Sequence, residues 1–421
     1  MQKDKTLAAV FITVFTGFIG FSLPFPIFSY LFLSSESILI PATVEESIRP
    51  ILLGLAIALF PIGQALASPL WGKYSDRYGR KPMLIISLMI AALGMVIVAI
   101  AIQYNLLYLV FLGRFISGLG EGNITLAQAI AADQQNEKIK ARYFAAISIA
   151  MNSGWIVGPL LGGYLGDPGS ASFTHPTLPF WLAALMYLCN ILVIMVSIKE
   201  TREETNITGT NNVTTTELIR LPAFRAILLL SLVSFFGTYI LFSFFAPYLV
   251  QVFQSTPTEI GIYSALLSVP LILAGLWSAQ ISQRLGYPRM TFLALALLSL
   301  GLLFTAMPDT LIWIAVPVTL AAFGIVFIEI TTAVLVSNSV SKAQNGHAMG
   351  VYRTTIVLAE IIAGILGGLL SSVTPALPFL IASAVVALGF IVYKRNRIRE
   401  REAQHNVDNN KIMRPASETK Q

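Results

Sequence analysis

The chain has 421 residues, of which 56% are hydrophobic and 11% are charged, and its formal net charge is +6. A soluble domain carries about 25% charged residues, so this composition excludes a soluble globular protein. Most of the chain must face lipid or other apolar helices. The apolar runs are continuous and do not alternate with a period of two residues, which favours membrane-spanning helices over a barrel.

A helical span needs about 20 mainly apolar residues to cross the hydrocarbon layer. On this basis we predict an all-α membrane protein with twelve transmembrane helices. The predicted spans are 6–32, 50–71, 83–103, 105–132, 143–166, 178–198, 223–251, 259–281, 289–307, 310–339, 348–372 and 376–393. An even number of spans places both termini on one side of the membrane.

The distribution of Lys and Arg predicts which side that is. Of the 27 Lys and Arg residues, all except Arg49 and Arg114 lie in or beside one set of loops and tails. Because positive charge is retained on the cytoplasmic side, we expect both termini in the cytoplasm. The short loops favour the inner membrane of a bacterium.

A polar stretch at 199–220 divides the chain into two groups of six spans, and short segments recur between the groups. Two segment pairs, 52–56 with 259–263 and 75–79 with 282–286, are offset by 207 residues. The pair 160–165 with 365–370 is offset by 205 residues. We therefore predict two pseudo-symmetric six-helix bundles with a substrate site between them. The predicted regions are an N-terminal bundle at 1–198, a cytoplasmic linker at 199–221, a C-terminal bundle at 222–394 and a cytoplasmic tail at 395–421.

Three motifs lie in order in the first half. Residues 72–81 read GKYSDRYGRK, Gly113-Arg114 is followed by Gly118 and Gly120, and residues 154–163 read GWIVGPLLGG. Together they resemble the motifs of the major facilitator superfamily, in its drug:proton antiporter branch, and they are most similar to tetracycline-efflux proteins. The second half resembles the family mainly by its number of spans, and Gln283 and Tyr287 replace the acid and the arginine of the first motif.

The resemblance implies roles for two of these motifs. The charged loop would act as a latch that holds the two halves closed on the inner face and breaks when the cavity opens inward. Its residues are Gly72, Asp76, Arg77, Gly79, Arg80, Lys81 and Asp133. The antiporter helix motif would pack against the C-terminal half and seal the site, and its glycines recur every four residues on one helix face. Its residues are Gly154, Gly158, Pro159, Gly162 and Gly163.

Charged residues inside the spans are candidates for proton coupling, because a charge at the bilayer centre costs about 2.5–3.5 kcal/mol on insertion scales. They are Arg114, Glu121, Glu329 and Glu360. Arg114 and Glu121 are seven residues apart, which predicts one shared helix face. Each acid has the alternative interpretation of a buried pair without a transport role. The first span carries no acid, unlike that of many drug antiporters.

Span seven is rich in aromatic residues, and Phe235, Tyr239 and Phe242 are candidates to line a cavity for flat, hydrophobic or cationic ligands. The alternative is that these rings face lipid or the core. One cysteine and three separated histidines predict no metal site, and we expect no cofactor.

The leading functional hypothesis is proton-coupled efflux of small amphipathic or drug-like molecules by alternating access. The partners we expect are the small-molecule substrate, protons and the lipid bilayer, without nucleic acid and as a monomer. Alternatives are an importer of a small nutrient, or an exporter of an endogenous metabolite such as a siderophore. The chain lacks the nucleotide-binding and catalytic motifs of an ATP-driven pump or a membrane enzyme, and its loops are too short for the soluble domain of a sensor.

Overall fold

The computed structural model describes residues 2–412, with gaps at 36, 42, 135, 199–214, 308–309 and 342–343. Side chains at 2–4, 137, 392 and 396–412 lie outside the description. Most of the predicted linker and the last nine residues of the predicted tail therefore lie outside the described residues. Within the described part, the chain forms helices and no strand, which confirms the all-α class.

The helices follow one another along the whole chain. They are α1 Gln2–Ser22, α2 Pro24–Leu33, α3 Arg49–Tyr78, α4 Arg80–Gln103, α5 Leu107–Leu119, α6 Asn123–Ala132, α7 Glu137–Gly166, α8 Leu178–Ser197, α9 Thr215–Arg220, α10 Pro222–Phe253, α11 Pro257–Thr305, a 3₁₀ helix Leu311–Ile314, α12 Ala315–Asn338, α13 Asn345–Ser371 and α14 Leu377–Ile412. Ten helices of the described residues are long and apolar enough to cross a membrane.

Two features explain why the described residues form ten long helices and not the twelve predicted spans. Helix α11 has 49 residues and contains the non-helical residue Gly286, where two predicted spans meet. Helices α5 and α6 have 13 and 10 residues, so neither reaches the length of about 20 residues that a span needs. The count of twelve spans stays a prediction.

Two glycines with positive φ support the internal repeat. Gly79 joins α3 to α4 with φ 99° and ψ 158°, and Gly286 interrupts α11 with φ 71° and ψ 155°. These positions are 207 residues apart, which is the offset of the sequence repeat. Because L side chains rarely adopt positive φ, glycine allows the same turn at the same place in each half.

The buried apolar side chains form two clusters. One contains residues from Ala9 to Ile198, and the other contains residues from Leu218 to Tyr393. We refer to these parts as the N-terminal half and the C-terminal half, and their separate cores support the proposed division at 1–198 and 222–394. The halves meet where α3 packs on α13, where α7 packs on α11, and where α2 packs on α10 and α11.

The bundle has two ends, which we name for use below. The charged end is the end at which α3 turns into α4 at Gly79. The far end is the end at which α3 begins at Arg49, α7 ends at Gly166 and α13 ends at Ser371. The 30 residues of α3 run between these ends and correspond to about 45 Å of helix.

Candidate functional site

Ion pairs hold the turn at the charged end. Arg80 Nη1 lies 2.5 Å from Asp76 Oδ1, and Arg80 Nε lies 3.1 Å from Asp133 Oδ2. Arg80 also donates a hydrogen bond to Ser75 Oγ at 2.5 Å. The predicted latch residues therefore meet, and they join α3, α4 and the end of α6 within the N-terminal half.

The other residues of the charged loop have different surroundings. The Arg77 guanidinium lies 5.2 Å from the ring centroid of Tyr78, and Lys81 Nζ donates to the carbonyl of Met195 at 2.7 Å. Beyond the two chain neighbours and the nearby backbone of α3 itself, no described atom lies within 4 Å of a Cβ placed on Gly72. Gly72 therefore has no close contact with a neighbouring helix in this conformation.

Trp71 connects the charged end to the interior. Its indole nitrogen donates a hydrogen bond to the carbonyl of Leu119 at 2.9 Å. Leu119 is the last residue of α5. A Cβ placed on Gly122 would lie 2.7 Å from the Trp71 ring. The ring therefore packs directly on the segment that separates α5 from α6.

That segment carries Glu121 outside a helix. Helix α5 ends at Leu119 and α6 begins at Asn123, so the prediction that Arg114 and Glu121 share a continuous helix face is wrong. The glycines on either side of Glu121 allow neighbouring residues to approach closely, and a Cβ on Gly120 would lie 2.7 Å from Ala91 Cα. Glu121 is 3% exposed, and its Oε2 has no hydrogen-bond partner in the described part of the chain.

Arg114 is buried and is held by a carbonyl and two rings. Its Nε donates to the carbonyl of Ala56 at 3.3 Å, and its Cζ lies 4.7 Å from the Phe60 ring centroid and 5.5 Å from that of Phe28. Such cation–π contacts stabilise a desolvated guanidinium. Arg114 interacts electrostatically with Glu121.

In the C-terminal half, Glu360 is the buried acid. It is 6% exposed, it receives a hydrogen bond from Tyr239, and it interacts electrostatically with Arg353. Glu329 of α12 also interacts electrostatically with Arg353. The side chains of Glu329 and Arg353 are exposed. The charged cluster therefore combines the buried Glu360 with two exposed members.

Sequence reasoning missed Arg353. It was counted among the cations of the cytoplasmic loops because it lies only five residues inside the predicted span 348–372. The signal was its spacing, because seven residues separate Arg353 from Glu360 and place them two turns apart on α13. The structure adds Arg353 to the predicted set.

Charges from the two halves face each other across the interface. Glu360 of the C-terminal half interacts electrostatically with Arg114 of the N-terminal half, and Glu121 also interacts with Glu360. Glu360 therefore has one arginine partner on its own helix and one on the other half. A change of its charge acts on both halves.

An aromatic cluster lies beside these charges. Trp155 of α7 stacks on Phe242 of α10 with ring centroids 4.9 Å apart and an interplanar angle of 27°. Phe25 stacks on Trp155 at 6.0 Å, and Phe21 meets it edge-on at 5.4 Å. The Trp155–Phe242 pair joins the two halves.

The three predicted cavity residues have separate roles in this structure. Phe242 belongs to the aromatic cluster and is partly exposed, and Tyr239 hydrogen-bonds Glu360. Phe235 is 6% exposed and packs edge-on against Tyr352 at 6.2 Å, so it belongs to the core of the C-terminal half. The sequence analysis missed Trp155, Phe21 and Phe25, because only the folded chain brings their helices beside Phe242.

Glu360 and the stacked rings of Trp155 and Phe242 lie at the same depth in the bundle. Trp155, Phe242 and Glu360 each lie 11 residues before the last residue of α7, α10 and α13, respectively. This spacing corresponds to about 16 Å from the far end, and the hydrocarbon layer is about 30 Å thick. The cluster therefore lies near the middle of the bundle.

The glycines of α7 contact two different partners. Cβ atoms on Gly154, Gly158 and Gly162 would lie within 2.5 Å of atoms of Phe18, Ser22 and Leu23, respectively, which belong to the same half. By contrast, a Cβ on Gly163 would lie 3.0 Å from Gly261 Cα in the C-terminal half. The packing implied against the C-terminal half therefore involves Gly163 and Pro159, and the three-glycine face serves α1.

The far end is closed by close contacts between the halves. A Cβ on Gly54 would lie 2.5 Å from the carbonyl oxygen of Gly364 and 2.7 Å from Gly368 Cα, which places α3 directly against α13. A Cβ on Gly261 would lie 2.5 Å from the carbonyl oxygen of Pro159, where α11 meets α7. All four glycines of these contacts are buried (Gly54, Gly261, Gly364 and Gly368).

The arrangement allows a specific kind of chemistry. Charged and aromatic side chains from both halves surround a site in the middle of the bundle, the far end is closed, and exposed residues continue toward the charged end. Rings bind flat apolar surfaces, and carboxylates and guanidiniums bind opposite charges or a proton. Such a site suits non-covalent binding of a small amphipathic molecule.

Comparisons with known proteins agree with this architecture. Multidrug resistance protein 1 of Bacillus subtilis is 25% identical over 404 residues, which cover 92% of this chain and 95% of that protein. Tetracycline resistance protein, class B, of Escherichia coli is 31% identical over 157 residues, which cover only 37% of each chain. A solved bacterial homolog to the human lysosomal transporter Spinster, in an inward-facing and occupied conformation, has a TM-score of 0.72 at 16% identity and covers 95% of this chain and 97% of that chain. That likeness shows the fold.

A family model gives the assignment. The Major Facilitator Superfamily model matches residues 10–364 and 227–418, which include every helix from α2 to α13 and the site described above. Members of this family are membrane transporters and not enzymes. This chain therefore belongs to the Major Facilitator Superfamily and is a multi-pass membrane transporter of small molecules.

Proposed function

We propose that this protein exports small amphipathic or drug-like molecules in exchange for protons, by alternating access of one central site. The observation that carries the proposal is the central cluster, in which Glu360 faces an arginine of each half beside the Trp155–Phe242 pair. A site built from both halves changes its exposure when the halves tilt against each other. The resistance proteins among the relatives support export as the direction.

The charged end is the cytoplasmic end in this proposal. Asp76, Arg80 and Asp133 lie there, together with the Lys and Arg residues of the adjoining loops, and positive loops remain in the cytoplasm. Both termini then lie in the cytoplasm, and the membrane is the bacterial inner membrane. The described conformation is open to the cytoplasm, because its contacts between the halves close the far end.

The acids of the central cluster supply the proton sites. Burial of a charge in a membrane protein is costly, and intramembrane acids commonly carry protons in transporters. Glu360 and Glu121 are the first candidates because both are buried, and Glu329 and Arg114 complete the electrostatic set. A membrane potential of 100 mV supplies about 2.3 kcal/mol per charge, which is sufficient for roughly 50-fold accumulation.

The ion pairs at the charged end hold the N-terminal half in the shape that the cytoplasmic closure needs. Arg80 joins α3, α4 and the end of α6, and these elements move as one body when the end closes. The cluster thereby supports closure from within one half; it does not join the two halves, as the resemblance implied for the latch, and its ion pairs are formed in this conformation. The protein works as a monomer whose two halves supply both gates.

Proteoliposomes with a trapped pH-sensitive dye test this function. With an acidic interior, an antiporter moves added compound inward and protons outward, so the interior becomes more alkaline. A panel containing tetracycline, ethidium and small nutrients should give this signal with the amphipathic aromatic compounds. Acidification of the interior on addition of a nutrient would instead show proton-coupled import. Proton movement with an endogenous metabolite, but with none of the drug-like compounds, would favour metabolite export.

A further inference from the structure

Buried polar atoms without a partner are concentrated beside Glu121 in the N-terminal half. Five such atoms belong to four side chains, each at most 3% exposed, and none has a hydrogen-bond partner among the described residues. They are Arg114 Nη1, Ser117 Oγ, Glu121 Oε2, and Oδ1 and Nδ2 of Asn123. A buried polar atom without a partner costs about 1–3 kcal/mol, so dry burial of all of them in one region would be strongly unfavourable.

Asn123 extends this group from Glu121 to α1. Its amide lies near the Glu121 carboxylate without forming a hydrogen bond of normal geometry to it. A Cβ on Gly17 would lie 3.0 Å from Asn123 Cγ and closer still to Nδ2. The amide therefore rests directly on the backbone of α1, and only a residue without a side chain fits there.

Tyr187 of α8 approaches α1 about one turn farther along. Its Cζ lies 2.7 Å from the position of a Cβ on Gly20, and its hydroxyl is closer still. Tyr187 interacts electrostatically with Glu121 and Arg114. Two glycines of α1 on one helix face thus admit one polar side chain from α6 and one from α8.

Asn190 continues the polar contacts of α8 toward the charged end. Its Nδ2 donates to Thr16 Oγ1 at 3.1 Å, and its Oδ1 accepts from Thr13 Oγ1 at 3.3 Å. The polar side chains between α1, α6 and α8, each at most 7% exposed, are called the polar seam below. They are Thr13, Thr16, Asn123, Tyr187 and Asn190.

The polar seam and the aromatic rings lie on different sides of α1. Phe18 and Phe21 of α1 contact Trp155. The α1 residues on the polar side are Thr13, Thr16, Gly17 and Gly20. Their centre lies about 120° around the helix from the two phenylalanines. The polar seam is therefore separate from the rings of the central site.

The polar seam reaches toward the charged end. Asn190 lies 7 residues before Ser197, the last residue of α8, which corresponds to about 10 Å. At that end, Thr6 Oγ1 donates to the Ser197 carbonyl at 3.2 Å. Ala9 and Val10 are buried in the intervening part of α1. The polar contacts are therefore interrupted by one short apolar stretch.

We propose that ordered water occupies the space beside the unpartnered atoms, and that Glu121 releases its proton through this water and the polar seam to the charged end. The inference rests on the proton-coupled export proposed above. The O–H bond of protonated Glu121 breaks and its proton joins a water, each water passes one proton to the next, and solvent at the charged end receives it. The charges that face Glu121 are Arg114, Arg353 and Glu360, so two arginines and one acid surround the carboxylate that remains.

Water suits these atoms better than an ion does. The set contains donors on Arg114 and Asn123, acceptors on Glu121 and Asn123, and a hydroxyl on Ser117. Buried water typically makes about three hydrogen bonds to such groups. Arg114 disfavours a cation, and the Glu121 carboxylate disfavours an anion.

The route lets a proton leave while a compound occupies the central site. In the described conformation that site is open toward the charged end, so an entering compound displaces the water there. The polar seam lies on another side of α1 and stays clear of the compound. The apolar stretch at Ala9 and Val10 limits proton leak, because apolar surroundings hold water only transiently.

X-ray footprinting tests for the water. Irradiated water produces hydroxyl radicals, which label side chains next to bound water even where bulk solvent has no access. Tyr187 is 1% exposed, and its control Tyr248 is 4% exposed but packs against the rings of Phe253 and Phe379. In wild-type protein in liposomes, without compound or gradient, we expect Tyr187 to be labelled at least about tenfold faster than Tyr248. Equal rates would show a dry region and overturn the inference.

Asn123→Leu tests the water and the route together. It removes two unpartnered atoms at nearly constant size, so it should slow the labelling of Tyr187 and lower compound-driven proton flux at least about tenfold. Binding of ethidium or tetracycline should change no more than about twofold. If the region is dry, leucine should instead leave proton flux unchanged and preserve or raise thermal stability, because it relieves unpartnered atoms.

Asn190→Leu tests the route beyond Glu121. Thr13 and Thr16 keep hydrogen bonds to carbonyls of their own helix, so the change leaves neither hydroxyl unpartnered. Proton flux should fall at least about tenfold at unchanged compound binding, whereas Asn190→Ser keeps a hydroxyl and room for water and should retain most of the flux. The control Ser383→Ala removes a buried hydroxyl that pairs with Ser299 in the C-terminal half, and its flux should match that of the wild type.

The outcomes distinguish this inference from the proposed function. Wild-type proton flux in both Asn123→Leu and Asn190→Leu would overturn the route. Footprinting needs neither compound nor proton gradient, so slow labelling of Tyr187 in a protein with intact proton-coupled export overturns only this inference. Rapid labelling of Tyr187 without proton-coupled export would overturn the proposed function, and the route with it, but would leave the water site.

Discussion

Asp167 and Thr258 are hydrogen-bonded to each other across the two halves at the far end. Asp167 Oδ2 accepts from Thr258 Oγ1 at 2.7 Å and from the Thr258 backbone N–H at 3.3 Å. Asp167 follows α7 and is 8% exposed, and Thr258 lies in the first turn of α11. A carboxylate of one half therefore stabilises the N-terminus of a helix in the other half. The repeat equivalents are Ser372 and Ile51, so this contact supports only one of the two far-end interfaces.

Removal of this contact should open the far end. Hydrogen bonds to a charged group contribute about 1.5–3 kcal/mol, so Asp167→Ala or Thr258→Val should shift the equilibrium roughly 10- to 100-fold toward the opposite conformation. Distances between spin labels on Phe173 and Val252, which are both exposed at the far end, measure the change. Asp167→Asn keeps an oxygen acceptor and should have a smaller effect. Identical distance distributions in Asp167→Ala and wild type would show that the contact does not control the equilibrium.

Glu360→Gln should separate substrate movement from proton movement. The amide keeps the size of the side chain and an oxygen for Tyr239, but it cannot exchange a proton near neutral pH. We expect compound-driven proton flux to fall at least about tenfold while downhill compound movement continues. Glu121→Gln tests the second buried acid in the same assay.

The control for Glu360→Gln is Glu259→Gln at the far end. Glu259 is exposed and accepts a hydrogen bond from the Thr256 backbone in a capping box, which glutamine also supports. Proton flux in this variant should match that of the wild type. If Glu360→Gln and Glu121→Gln both retain pH-dependent flux, the acids assigned to proton coupling are incorrect.

Arg80→Gln should reduce transport more than it reduces stability. An exposed ion pair contributes about 1 kcal/mol or less to folding, and Asp76 and Asp133 are substantially exposed. The protein should therefore accumulate in the membrane at nearly wild-type amount, while turnover falls at least about tenfold because the N-terminal half no longer moves as one body. Arg80→Lys keeps the charge but not the planar fork that reaches two carboxylates, so it should rescue only part of the activity.

Lys73→Gln is the matched control for Arg80→Gln. It removes one positive charge from the same stretch, and Lys73 is exposed. Its turnover should remain close to that of the wild type. Equal losses of turnover in both variants would mean that the effect follows the net charge of the loop and not the ion pairs of Arg80. Normal turnover in Arg80→Gln would exclude a role of these ion pairs in closure.

Trp155→Ala should weaken transport of flat aromatic compounds. Aromatic pairs contribute about 0.5–1.5 kcal/mol beyond their area burial, so KM should rise about three- to tenfold for a compound that stacks on Trp155. Trp155→Phe should keep most of the affinity, and Trp181→Ala, an exposed position on α8, should have no effect. An unchanged KM in Trp155→Ala would place the aromatic compound elsewhere.

Local sequence patterns were sufficient to predict the long helices and to identify the motif residues. Long apolar runs fix helices because a backbone in lipid must satisfy its own hydrogen bonds, and the repeat offsets predicted that Gly79 and Gly286 are equivalent. Breaks within spans were missed, because the end of α5 at Leu119 depends on the Trp71 hydrogen bond and on glycine packing from other helices. For the same reason the sequence misplaced Glu121 on the face of Arg114.

By itself, the sequence of this protein determined its class, its repeat and the chemistry available to it, since hydropathy and residue type are properties of each position. Only the tertiary structure decided which groups meet: Arg114 with Glu360, Trp155 with Phe242, and Asp167 with Thr258. The physical reason is that these contacts join helices distant in the chain, whose relative tilt depends on packing over their whole length.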